Sequence, residues 1–122
     1  MVGPVMLRKD SKIIENYGVN MSLFNTQFLY SGREYLNNFP DMIVDVVPDG
    51  ASMSKRPFYE KVGLQGEVLF MYCDERNMPY RAKRAGFPEA VTAKAWHQHI
   101  INPQPTARVN ARYIENDIMC IA

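Results

Sequence analysis

Pro88-Glu89-Ala90-Val91-Thr92-Ala93-Lys94-Ala95-Trp96-His97-Gln98-His99-Ile100-Ile101, followed by Asn102-Pro103, is the stretch on which the fold turns. Pro88 and Glu89 suit the first turn of a helix: a proline there gives up an N–H that has no partner anyway, and an acid meets the positive end of the helix dipole. Ala90, Ala93, Trp96, His97 and Ile100 then converge on one side at helical spacing, and Asn102-Pro103 supplies a stop. The spacing predicts the main helix of the chain over residues 88–101.

Working outward, residues 66–73 include Glu67-Val68-Leu69-Phe70-Met71-Tyr72-Cys73, apolar on both faces as a central strand would be. Residues 41–47 place Met42, Val44 and Val46 on one face ahead of the turn residues Pro48-Asp49-Gly50, which predicts a second strand. Between them, Pro57 suits a helix's first turn and Gly63 its end. Residues 22–39 fit both periods. Phe24, Phe28, Tyr35 and Phe39 share a helical face, Phe24, Thr26, Phe28 and Tyr30 alternate, and Gly32 favours a strand followed by a short helix.

Past Pro105, Ala107, Val109, Ala111 and Tyr113 alternate with Arg108, Asn110 and Arg112, and the apolar residues 118–121 follow, predicting a C-terminal β-hairpin with one wet face. At the other end, residues 1–20 keep neither period and read as an extended arm. The expected class is α+β: a small antiparallel or mixed sheet, one main helix, a C-terminal hairpin and an N-terminal arm. Residues 21–122 are expected to form a single domain, since no repeat or low-complexity tract divides them.

A chain of 122 residues is long enough to bury a core without metals or disulfides. Lys+Arg 14 against Asp+Glu 13 gives a net charge of +1, so any charged partner must meet a local patch. Cys73 and Cys120 are too few for a disulfide scaffold and sit in apolar runs. No stretch reaches the roughly 18 apolar residues of a membrane span, and the start lacks a signal peptide's apolar region. The expectation is an intracellular chain, or one assembled into a particle, with no membrane partner.

Several chemistries fail on their own geometry. In a helix, His97 and His99 lie about 200° apart and cannot share an ion. No third ligand accompanies them in sequence, so no metal is expected. Asp41, Asp45, Asp49, Glu67 and Asp74 could be arranged as a metal-dependent hydrolase site. The common nuclease layout, however, needs a lysine two residues past the central acid, where Leu69 stands. Gly63-Leu64-Gln65-Gly66 lacks the spacing and lysine of a phosphate loop, no serine occupies a nucleophile elbow, and no cofactor is expected.

Residues 74–87 are polar, long for a connection, and basic: Arg76, Arg81, Lys83 and Arg84 surround Tyr80, a stacking surface. Arg108 and Arg112 would extend this patch if they lay close. Such a patch can take phosphates or the acidic surface of a protein. The near-neutral total charge favours the protein. The arm offers Val5, Met6, Leu7, Ile13 and Ile14 as apolar contacts for a neighbouring subunit. The functional expectation is therefore a non-enzymatic structural or adaptor subunit of a larger assembly, such as a virus or phage particle, contacting other protein subunits through arm and loop. A nucleic-acid-binding or inhibitor protein acting through residues 76–84 is the second reading, and a hydrolase with an acidic site the third.

Overall fold

The computed structural model of the chain describes residues 1–22, 25–36, 38–48, 50–65 and 74–100. Along these run β1 (Val2–Arg8), β2 (Ile14–Asn16), β3 (Val19–Ser22), β4 (Asn25–Phe28), β5 (Met42–Val44), α1 (Arg56–Val62), α2 (Asp74–Arg84) and β6 (Glu89–His99). A four-stranded sheet has the order β2-β1-β6-β5, with β1 and β6 parallel and both outer strands antiparallel to their neighbours. β3 and β4 form a separate antiparallel pair. The class is α+β with a mixed sheet, as the residue pattern predicts.

Two long segments take the opposite state from the one their periodicity suggests. Residues 88–100 do not form a helix; Glu89–His99 is the longest strand among the described residues. Its alanines carry local helical propensity, but Val91 and Thr92 are β-branched, and pairing with β1 on one side and β5 on the other decides the outcome. Residues 74–84 are no loop but the helix α2, held by Met78 and Ala82 on one buried face. Pro79 lies inside it and, with the surrounding charges, hides the stripe in the sequence.

The N-terminal arm is corrected as well. β1 lies between β2 and β6, and Val5, Met6, Leu7 and Ile14 are buried in the protein's own interior. Ile13 is half-buried and bridges Glu34. Residues 1–8 lack a clean period because β1 is covered on both faces, as strands inside parallel pairings are. The expected strand at residues 41–47 appears as the short β5, and α1 has Pro57 in its first turn and Gly63 at its C-cap as expected. Among the described residues of 22–39 there is a strand, β4, but no helix. The expected strand at 66–73 and the C-terminal hairpin lie outside the described residues.

The main core collects Val5, Leu7, Ile14, Tyr17, Val44, Val47, Val91 and Ala93, with Tyr30, Tyr35 and Phe39 against it. Tyr17 is fully buried, packs edge-on to Tyr30 at 5.1 Å, and donates its hydroxyl to the Pro40 carbonyl at 2.7 Å. Burial pushes its pKa up to about 12. Beside it Gly18 adopts φ +98, and a Cβ there would stand 2.7 Å from Val44 Cγ1, so only glycine fits. A second, smaller cluster of Phe58, Val62, Met78 and Ala82 joins α1 to α2.

Two irregularities place the side chains that matter for function. On β6 the register jumps from Pro4↔Thr92 to Val5↔Trp96, so Ala93, Lys94 and Ala95 have no counterpart on β1. Pro4, with no N–H for the ladder, stands at the break. On β2 the register passes from Met6↔Asn16 to Leu7↔Ile14, which leaves Glu15 as the unpaired bulge residue. Bulges of this kind re-aim a side chain.

Candidate functional site

Among the described residues, the basic side chains of α2 make contacts within their own chain. Arg81 donates from Nε to Asn77 Oδ1, from Nη1 to the Val62 carbonyl at 2.8 Å and from Nη2 to the Leu64 carbonyl at 2.7 Å. It thereby satisfies carbonyls that the end of α1 leaves without helical partners. Lys83 pairs with Asp45 at 2.6 Å, and Arg84 lies over the Tyr80 ring at 5.9 Å. Arg76 lines a small cavity with Asn16, Met21 and Phe28. Arg108 and Arg112 fall outside the described residues. The charge that marks residues 76–84 in the sequence thus serves in large part to fasten α2 to its own chain.

The acidic residues are likewise committed. Asp41 accepts from the Ala93 N–H at 2.8 Å and the Thr92 hydroxyl at 2.9 Å, and these two bonds hold its carboxyl below the usual range. Asp45 is lowered by the Lys83 ammonium and the Met21 N–H. The two carboxylates serve different parts of the fold and form no hydrolase site with each other. Asp49 and Glu67 lie outside the described residues.

What the sequence reading missed is on β6 beyond its bulge. With Ala93, Lys94 and Ala95 looped out, Trp96 stands beside Val5 and Gln98 beside Leu7, at the rim of the main core. Trp96 is 55% exposed. It forms one wall of an open hollow of about 520 Å3 shared with Leu7, Lys12, Tyr35 and Gln98. It also walls an adjoining hollow of about 490 Å3 with Tyr35, Phe39, Asp41 and Lys94. The two hollows share Trp96 and Tyr35 and together form an aromatic groove whose walls also carry Asp10, Lys12, Asp41 and Lys94. Tyr35 is fixed by donating its hydroxyl to the Ala93 carbonyl. A signal for this was present: at strand spacing Trp96 shares its face with Lys94 and Gln98, a wet company for a core residue.

The other face of the same strand carries His97, beside Met6, and His99, beside Arg8. The 200° separation expected of a helix does not exist, because alternate residues of a strand point the same way. His99 Nδ1 donates to Glu15 Oε1 at 3.0 Å, while His97 Nδ1 and Glu15 Oε2 are buried without a hydrogen-bond partner among the described residues. Burial holds the His97 imidazole below its ordinary pKa. Among the described residues no three His, Cys, Asp or Glu side chains converge as a formed metal site.

No family model matches the chain, and neither a curated protein nor a solved structure matches it. Among the described residues no helix is long and apolar enough to cross a membrane.

Proposed function

We propose that the chain is a non-enzymatic adaptor or assembly subunit that takes a segment of another protein in the groove around Trp96. The observation that carries this reading is the exposure of the protein's one tryptophan between two adjoining hollows, on a strand held rigidly by Asp41 and Tyr35. Tryptophan is among the residues that most often anchor protein interfaces, because a large rigid side chain is covered at little entropic cost. The contact surface is the groove, beside which the N-terminal strand β1 contributes Leu7.

The chemistry of the occupant follows from the walls. Asp10 and Lys12 line one hollow and Asp41 and Lys94 the other, so the charges of the walls balance and the aromatic surface of Trp96 and Tyr35 is what an occupant must match. An extended segment with an aromatic or aliphatic anchor and little net charge matches them.

Trp96 is also the reporter. Its emission is titrated with synthetic peptides bearing an aromatic anchor in acidic, neutral and basic flanks, and with a single-stranded oligonucleotide. The neutral peptides are expected to shift the emission most, and Lys12→Glu with Lys94→Glu to transfer the preference to the basic ones. Absence of any peptide response overturns the reading. So does a response to the oligonucleotide alone, lost steeply with salt, which belongs to a stacking surface for bases.

A further inference from the structure

We propose that the segment held in the groove is extended and carries two apolar side chains at positions i and i+2, one for each hollow. This motif rests on the groove reading above and adds a conformation and a spacing to it. Its basis is the order of the lining residues along β6. Trp96 and Tyr35 wall both hollows, whereas Gln98 belongs to the first alone and Ala93 and Lys94 to the second alone. The hollows therefore follow one another along the strand, with Trp96 as the partition between them.

The bulge on β6 keeps the two apart. The first hollow has Leu7 of β1 opposite Gln98, while residues 93–95, without counterparts on β1, open the second toward Phe39 and Asp41. Asp41 and Tyr35 fix this arrangement, because the carboxylate accepts from the Ala93 N–H and the phenol donates to the Ala93 carbonyl. Compartments one side chain apart on a strand are matched by alternate side chains of a segment running beside it, which stand roughly 6.6 Å apart in an extended chain. A helix turns positions i and i+2 about 200° from each other and presents only one of them to the groove. Charge complementarity points to apolar anchors. Each hollow carries one acid and one base, Asp10 with Lys12 and Asp41 with Lys94, so neither favours a charged side chain.

The experiment titrates the full chain with uncharged, end-capped peptides and reads the emission of Trp96, the one tryptophan. Two leucines stand among serine and threonine at i and i+1, at i and i+2, or at i and i+3, and a fourth peptide carries a single leucine. The i and i+2 peptide is expected to bind roughly 10-fold tighter than the single-leucine peptide, since it buries a second apolar side chain. The other two spacings should gain little. Lys94→Phe and Gln98→Phe, at exposed positions, each fill one hollow and should reduce the i and i+2 peptide to the affinity of the single-leucine one. Equal affinity for the three two-leucine peptides overturns the proposal and leaves the groove reading standing, as does a preference for i and i+3, which belongs to a helix. An advantage of i and i+2 that persists undiminished in both variants also overturns it, by placing the second anchor elsewhere. No response to any of the peptides overturns both readings.

Discussion

The four-stranded sheet and the α1–α2 pair are held together by different kinds of contact. In the sheet, β1 and β6 come from opposite ends of the described chain, and their pairing buries Val5, Leu7 and Val91 in one apolar core. In the helical pair, a small cluster of Phe58, Val62, Met78 and Ala82 is supplemented by charged side chains: Arg81 ties α2 to the end of α1, and Lys83 ties it to Asp45. Where distant pairing supplies the stability, a segment's own periodicity is a poor guide to its state. Where a helix is capped by its own neighbours, as α1 is by Pro57 and Gly63, the local signal suffices.

The strongest way to break this contrast is to remove residues 1–17. An arm could be deleted without harm to the domain, whereas removing β1 takes out the strand between β2 and β6 together with Val5, Leu7, Ile14 and Tyr17. Burying each large apolar side chain is worth about 1.5 to 3 kcal/mol, and a whole domain retains only about 5 to 15 kcal/mol. The truncated chain is expected to be unfolded, with no cooperative melt by circular dichroism and no dispersion of amide resonances. A cooperative transition in the truncated chain would show that the sheet survives without its central pairing.

That outcome also bears on what the residues alone disclose. The α+β class, β5 and α1 were legible, because turn residues and caps mark them locally. β6 was not: Ala90, Ala93 and Trp96 recur at helical spacing, and only the partner strand almost ninety positions away makes Val91 and Ala93 the inward pair. The misreading carried the site with it. A helical β6 places Trp96 in the core and separates His97 from His99, whereas the strand exposes the first and aligns the other two. Glu15 carried no sequence signal at all, since its hydrogen bond with His99 depends on a register shift between two strands.

Glu89 lies between the two regions, with Phe87 in the helical cluster and Val91 in the sheet core. It is buried; Oε2 accepts from the Val47 N–H at 3.0 Å and Oε1 has no partner among the described residues. Burial, opposed in part by the Val47 bond, raises its pKa from 4.5 to about 7. Since the folded state holds the proton more tightly, the contribution of Glu89 is fully present below pH 4.5 and is lost as pH rises through 7. His97, whose pKa is lowered, acts in the opposite sense, contributing above 6.5 and losing that contribution as pH falls. The wild-type pH profile mixes the two, so the difference between Glu89→Gln and wild type is the quantity to measure. That difference is expected to move in favour of the variant by about 3 kcal/mol between pH 4.5 and 8. A difference independent of pH, by urea unfolding, would mean that Glu89 holds its proton no more tightly in the folded chain than in the unfolded one.

The smallest effects sharpen the comparison from the helical side. Arg81 makes three hydrogen bonds, two of them to carbonyls at the end of α1, so Arg81→Ala leaves those acceptors without their charged donor and loosens α2 from α1. Hydrogen bonds to charged groups contribute about 1.5 to 3 kcal/mol, and a loss in that range is expected, with m unchanged if the two regions unfold together. Lys83 forms a shorter contact, 2.6 Å to Asp45, yet its side chain is largely in water, where solvent and salt screen the pair. Lys83→Ala should therefore cost less than about 1 kcal/mol, and less still at high salt. The order of the two variants is the test, because both remove one positive charge from α2. If Lys83→Ala proves the more damaging, the helical pair is anchored to the sheet through Asp45; if Arg81→Ala does, the pair is a unit closed on itself that the sheet merely carries.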